Sequence, residues 1–246
     1  MADLSTWNGT AEDNIGVVNG AADDTLASVN GLDWVHQIPV TAAFTDNSVS
    51  ASDATNYSFS SQAIGTAAAG RQIVVAVTAG SSALRTVSSL TVGGVSATQV
   101  VRQTQTEYNQ VSLDLWVATV STGTTATIAV NMSGGLDRMG IGVWAIYNAN
   151  VGAHASGGQA SADPQSVSVT VPAEGVVIGA AMSGSGAGTT HTWTNVNENY
   201  ETVVEGGTKQ SGGYKVYATL QSSLAISDNV SVNSEQIIVA ASWAPA

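Results

Sequence analysis

From about residue 40 onward, apolar and polar residues come in short runs broken by Gly, Ser and Asn. Residues 73–77 are a continuous apolar stretch after the Gly70-Arg71 turn, of the length of a buried strand. Leu90-Thr91-Val92, the Gly93-Gly94 pair and residues 97–102 predict a hairpin. Val111, Leu113, Leu115 and Val117 alternate with Ser112, Asp114 and Trp116, as on a half-buried strand. Further strands are predicted over 124–132 and 139–147, separated by Ser133-Gly134-Gly135. The second half adds 167–171, 176–182, 214–220, 230–232 and 237–243. No stretch shows a convincing helical period. About ten strands joined by tight turns point to an antiparallel β-sandwich of jelly-roll type. No charged or proline-rich linker divides residues 40–246, so they are read as one domain rather than two sandwiches meeting near 150–164.

The first 35 residues follow a different rule. Asn8-Gly9, Asn19-Gly20 and Asn30-Gly31 recur every eleven residues. Two apolar columns keep the same step: Leu4, Ile15 and Leu26, then Trp7, Val18 and Val29. Asn and Gly both tolerate positive φ, so each unit reads as a helical turn or extended segment closed by Asn-Gly. Each unit offers only two apolar side chains. A segment so poor in core residues is expected to order against something else.

Composition narrows the function. The formal charge is −12, from 18 acidic against 6 basic residues, and the six bases are scattered. Gripping a nucleic-acid backbone requires clustered Lys and Arg, so that partner is not expected. There is no cysteine, which removes disulfides, thiolate metal sites and thiol nucleophiles. Met1-Ala2-Asp3-Leu4 lacks the basic and apolar regions of a secretion signal, and no apolar run is long enough to span a bilayer. The expectation is a protein made in a cytoplasm, without membrane insertion.

Two stretches resemble known families. Residues 73–77, Leu90-Thr91-Val92-Gly93-Gly94-Val95, Leu115-Trp116-Val117, 123–130 and 142–147 resemble a sandwich type common in phage and bacterial surface proteins, over about residues 70–185. Ile15-Gly16-Val17-Val18-Asn19-Gly20 and Leu26-Ala27-Ser28-Val29-Asn30-Gly31 resemble the I-x-x-V-N-G repeats near the N-termini of bacteriophage virion proteins. The first copy departs from the pattern, with Trp7 at the Val position. The resemblance implies a virion structural protein without deciding between head and tail. It also implies attachment through Trp7, Asn8, Gly9, Ile15, Val18, Asn19, Gly20, Leu26, Val29, Asn30 and Gly31.

Catalytic and metal motifs were sought without result. His36, His154 and His191 form no zinc spacing and are read as structural or loop residues. Residues 183–188, rich in Ser and Gly, lack the Gly-x-Ser-x-Gly spacing and are read as a loop. Glu198, Glu201 and Glu205 are the only stretch suggesting a glycosidase-like carboxylate pair. Asp46, Asn47, Asp53 and Asn56 lack EF-hand spacing, and turn chemistry accounts for them. The remaining candidate is an aromatic and amide patch, Trp193, Asn195, Asn197, Asn199 and Tyr200, suited to stacking and hydrogen-bonding a sugar. The alternative is a loop anchored by its Trp.

These readings combine into one expectation, a non-enzymatic virion protein needing neither cofactor nor metal. Residues 1–35 would attach a sandwich of residues 40–246 to other capsid or tail proteins, as a capsid decoration or short head fibre in several copies. A tail-fibre or receptor-binding module that recognises a host surface glycan is the second expectation.

Overall fold

The computed structural model describes residues 37–106, 110–184, 188–205, 207–231 and 236–246, and before them the backbone of four short strands. By contacts the chain divides into Met1–Ile38 and Pro39–Ala246. In the first unit β1 (Val17–Val18) pairs antiparallel with β2 (Ala21–Ala22), and β3 (Ser28–Val29) with β4 (Leu32–Asp33). Asn19-Gly20 and Asn30-Gly31 are the two residues between the partners, the spacing of a two-residue hairpin. Trp7, Asn8, Gly9, Ile15, Asn19, Gly20, Leu26, Asn30, Gly31 and His36 lie outside the described residues, and Val18 and Val29 are described in backbone only.

The second unit is all antiparallel sheet. Its first half contains β5 (Thr41–Ser50), β6 (Ala54–Ala63), β7 (Gln72–Ser81), β8 (Val87–Val92), the short β9 (Val95–Ser96), β10 (Thr98–Gln105), β11 (Gln110–Thr119), β12 (Thr125–Leu136) and β13 (Arg138–Tyr147). Its second half contains β14 (Ala155–Ala160), β15 (Gln165–Val171), β16 (Gly175–Ser183), β17 (His191–Thr194), β18 (Asn197–Glu205), β19 (Thr208–Tyr217), β20 (Gln221–Val230) and β21 (Gln236–Trp243). The sheets run β10-β11-β7-β13-β5, β6-β12-β8-β9, β14-β21-β16-β19-β18 and β15-β20-β17.

Each half is a jelly-roll-like sandwich, and the two have the same topology. If the eight long strands of a half are numbered in chain order, the large sheet runs 1-8-3-6-5 and the small one 2-7-4. In the first half the fifth strand starts beside the fourth as β9, then crosses to the large sheet as β10. The two large sheets pack face to face, giving four layers. Trp144 on β13 and Trp243 on β21 hold corresponding places, opposite Val74 and Val176, and both are fully buried between the large sheets.

Burial on both faces changes the reading of the central strands. β11 is buried along almost its whole length rather than half-buried. Its Leu113 and Leu115 face the second sandwich, while Trp116 and Ala118 face the core of the first. Ser112 and Asp114 are buried because they find partners: Ser112 Oγ donates to Arg85 O at 3.0 Å, and Arg102 Nε lies 2.6 Å from Asp114 Oδ1. Residues 133–135, expected to be a turn, continue β12, and residues 218–220 lie beyond the end of β19.

Glycines let the large sheets interlock. A Cβ on Gly142 would collide with the Tyr200 phenol, and one on Gly212 would lie 2.9 Å from Trp144 Cη2. Phe44, Trp144 and Tyr200 fill that space, with Phe44 and Tyr200 stacked at 5.2 Å and Asn199 Oδ1 accepting from Trp144 Nε1 at 2.9 Å. The two ends of the double sandwich meet nearby. Asn148 Nδ2 donates to Pro39 O, and Asn148 O accepts from the amide of Ala246.

Candidate functional site

The second sandwich carries a buried polar layer where the first is apolar. On its large sheet Gln236, Ser183 and Lys209 are register partners across β21, β16 and β19. On its small sheet Gln165 pairs with Asp228, and His191 lies on the neighbouring β17. All six are buried. Ser183 Oγ lies 3.1 Å from His191 Nε2, and His191 Nδ1 lies 2.7 Å from Asp228 Oδ2. That is the order of hydroxyl, imidazole and carboxylate found in acyl-transfer enzymes.

Its surroundings argue for a structural tie. The His191 side chain has no exposed surface and that of Asp228 only 2 %. Ser183 is likewise fully buried. The network continues toward the partly exposed Glu201. Glu201 Oε2 accepts the His191 amide at 2.6 Å, and its other oxygen receives the Lys209 ammonium, which also donates to Thr189 O. Burial alone would push the Glu201 carboxyl up, but the His191 amide and Lys209 outweigh it and hold it below its usual range. The cluster links β16, β17, β18, β19 and β20. The cluster is not legible in the sequence because its members come from five strands of two sheets, and His191, expected in a loop, begins a strand.

The aromatic and amide patch does not form one exposed platform. Tyr200 is buried between the sandwiches, and burial pushes its phenol up. Trp193 is half-buried against the second core, its Nε1 donating to Ser211 Oγ at 2.8 Å. Asn195 sits at positive φ in the turn after β17 and donates to Ala225 O, which leaves Asn197 exposed. These residues belong to strands β17 and β18 and the turn between them rather than to a loop.

The three glutamates are divided among different partners. Glu198 accepts from Ser211 at 2.7 Å, Glu201 serves His191 and Lys209, and Glu205 lies 4.0 Å from Arg138. Burial raises the Glu198 carboxyl, with the Ser211 bond opposing it. Asp46 and Asn47 lie on β5, where Asp46 accepts the amides of Asn47 and Ala63. Among the described residues no three His, Cys, Asp or Glu side chains converge as a metal ligand set.

An open cleft of about 680 Å³ lies where the two sandwiches join. Val95, Ser96 and Gln99 form one wall, and Val151, His154 and Ser156 form the other. Gln72 lies in the lining and is fixed: its amide donates to Ala149 O and Asn150 O, and Gly152 N donates to its carbonyl oxygen at 3.2 Å. Ser156 Oγ donates to Val100 O at 3.4 Å, joining the walls at one point. Val100 lies at a register break in the β10–β11 ladder, between Gln99 and Val101. Such a break re-aims the neighbouring side chains. Among the described residues no Asp, Glu, Lys or Arg lines the cleft.

No family model, no curated protein and no solved structure matches this chain.

Proposed function

We propose that this chain is a non-catalytic structural component of a bacteriophage particle, a capsid decoration or short head fibre held by its N-terminal repeats. The observation that carries the reading is the division of the chain. A small unit with the eleven-residue Asn-Gly repeat precedes a large unit of four packed β-layers. Rigid layers with a polar outer surface suit an exposed particle component, and several weak attachments in a symmetric shell gain strength by avidity. The closed Ser183–His191–Asp228 array supports a structural role over hydrolysis.

The test is deletion of residues 1–38, read by circular dichroism, melting and recovery in purified particles. The reading expects the remaining chain to keep its β-signature and melting temperature while it is lost from particles. Normal incorporation, or unfolding of the remainder, overturns it. A second reading, a tail-fibre or receptor-binding module for a host surface glycan, is favoured by one feature, the uncharged cleft at the sandwich junction.

A further inference from the structure

We propose that the cleft between residues 95–100 and 151–156 binds a neutral saccharide. Its size is in the range of small-ligand sites. Its chemistry selects the ligand class. On a chain of formal charge −12, acidic residues outnumber basic ones three to one, yet neither lines this cleft. A charged ligand would find no counter-ion there, since His154 is the single ionisable lining side chain.

The lining instead alternates short hydroxyls and amides with valines. Val95 and Val151 are 41 % and 84 % exposed, Val151 the most of any large apolar side chain among the described residues. They offer contact to the C–H face of a sugar ring. Ser96, Thr98 and Gln99, all exposed, present donors and acceptors to its hydroxyls. The fixed Gln72 and the Ser156–Val100 bond hold the two walls in place without a ligand, so binding costs little reorganisation. A purely apolar guest would leave the hydroxyls and amides unpaired.

The site is new relative to the sequence reading, which placed sugar contact at Trp193 and Tyr200. The claim deepens the second reading above, and its test separates the site from the attachment of the chain to a particle. The full chain is applied to a printed panel of neutral glucan, mannan, galactan and N-acetylglucosamine oligomers beside sialylated and sulfated ones, and hits are measured by calorimetry. Saturable binding to a neutral oligomer is expected, weakened at least tenfold by Ser96→Trp, which fills the cleft from an exposed strand. Gln99→Ala should weaken it several-fold, and Thr192→Trp, on the outer face of β17, should leave it unchanged. Binding to none of the panel, preference for the anionic oligomers, or full binding by Ser96→Trp would each overturn the site. Ser96→Trp should enter particles normally, and its exclusion from them would overturn the separation of the cleft from attachment.

Discussion

The two sandwiches share a topology but not a filling. Among the described residues the core of the first contains 21 buried apolar residues, from Tyr57 to Ala145. That of the second contains nine, and at one end of it a layer of Ser, His, Asp, Lys and Gln takes the place of aliphatic side chains. One backbone arrangement thus tolerates two ways of closing a sandwich, non-directional packing and a directed polar network. The second is brittle: a methyl group lost from an apolar core leaves a void, whereas a lost network member strands its partners.

The largest predicted effect follows from that difference. Asp228→Ala leaves His191 Nδ1 buried without a partner and should cost about 4 kcal/mol, read from the shift of the urea midpoint. Leu90→Ala in the first sandwich should cost about 3 kcal/mol by the cavity it leaves. If Asp228→Ala proves milder than Leu90→Ala, the brittle-network account fails.

Acid should act on the halves in opposite directions. Burial pushes the Asp114 carboxyl from 3.8 up to about 6, a rise the Arg102 guanidinium only partly offsets. Between those values the folded chain holds a proton that the unfolded chain has released, so this contribution falls as pH rises through the window. The effect is on the order of 2–3 kcal/mol. Glu201, held below its usual range, contributes stability that is present above the ordinary carboxylate range and lost as pH falls through its folded value. Melting curves from pH 3 to pH 8 should show Asp114→Asn removing the loss on alkalinisation and Glu201→Gln removing part of the loss on acidification.

The interface between the halves should respond more mildly. Gly142→Ala pushes a methyl group into the Tyr200 phenol and should cost about 1–2 kcal/mol. Tyr200→Phe in the same chain should recover part of it, since the hydroxyl is the first atom met, and a double-mutant cycle measures the coupling. The smallest effect is predicted for the triple change Ser183→Ala, His191→Leu, Asp228→Leu. With the array gone as a unit, stability should stay within about 1 kcal/mol of the parent or rise. A loss as large as that of Asp228→Ala alone would mean that the array supplies net stability.

The sequence announced the β-class through alternation and Gly, Ser and Asn turns, because those features depend on local geometry. β5 and β6 escaped notice because their apolar positions are sparse: in β6 only Tyr57 and Phe59 are buried aromatics among Ser, Thr and Asn. β11 reads as half-buried because Ser112 and Asp114 look solvated until the Arg85 carbonyl, between β7 and β8, and the Arg102 side chain, on β10, come beside them. The duplication leaves little trace, since 140–147 and 239–246 share little beyond the aligned Trp144 and Trp243. Topology survives where packing needs only a large side chain at one position. The cleft was invisible for another reason: its two walls are some fifty residues apart in the chain and owe their proximity to the junction of the halves.

The shared bonds of Asn148 with Pro39 and Ala246 have a practical consequence. Both ends of the double sandwich emerge at one spot, so Pro39 and Ala246 lie side by side rather than at opposite poles of the four layers. A circular permutant that bridges 246 to 39 and opens at Gly93-Gly94 would keep the long ladders, and cargo fused after Ala246 would sit beside Pro39.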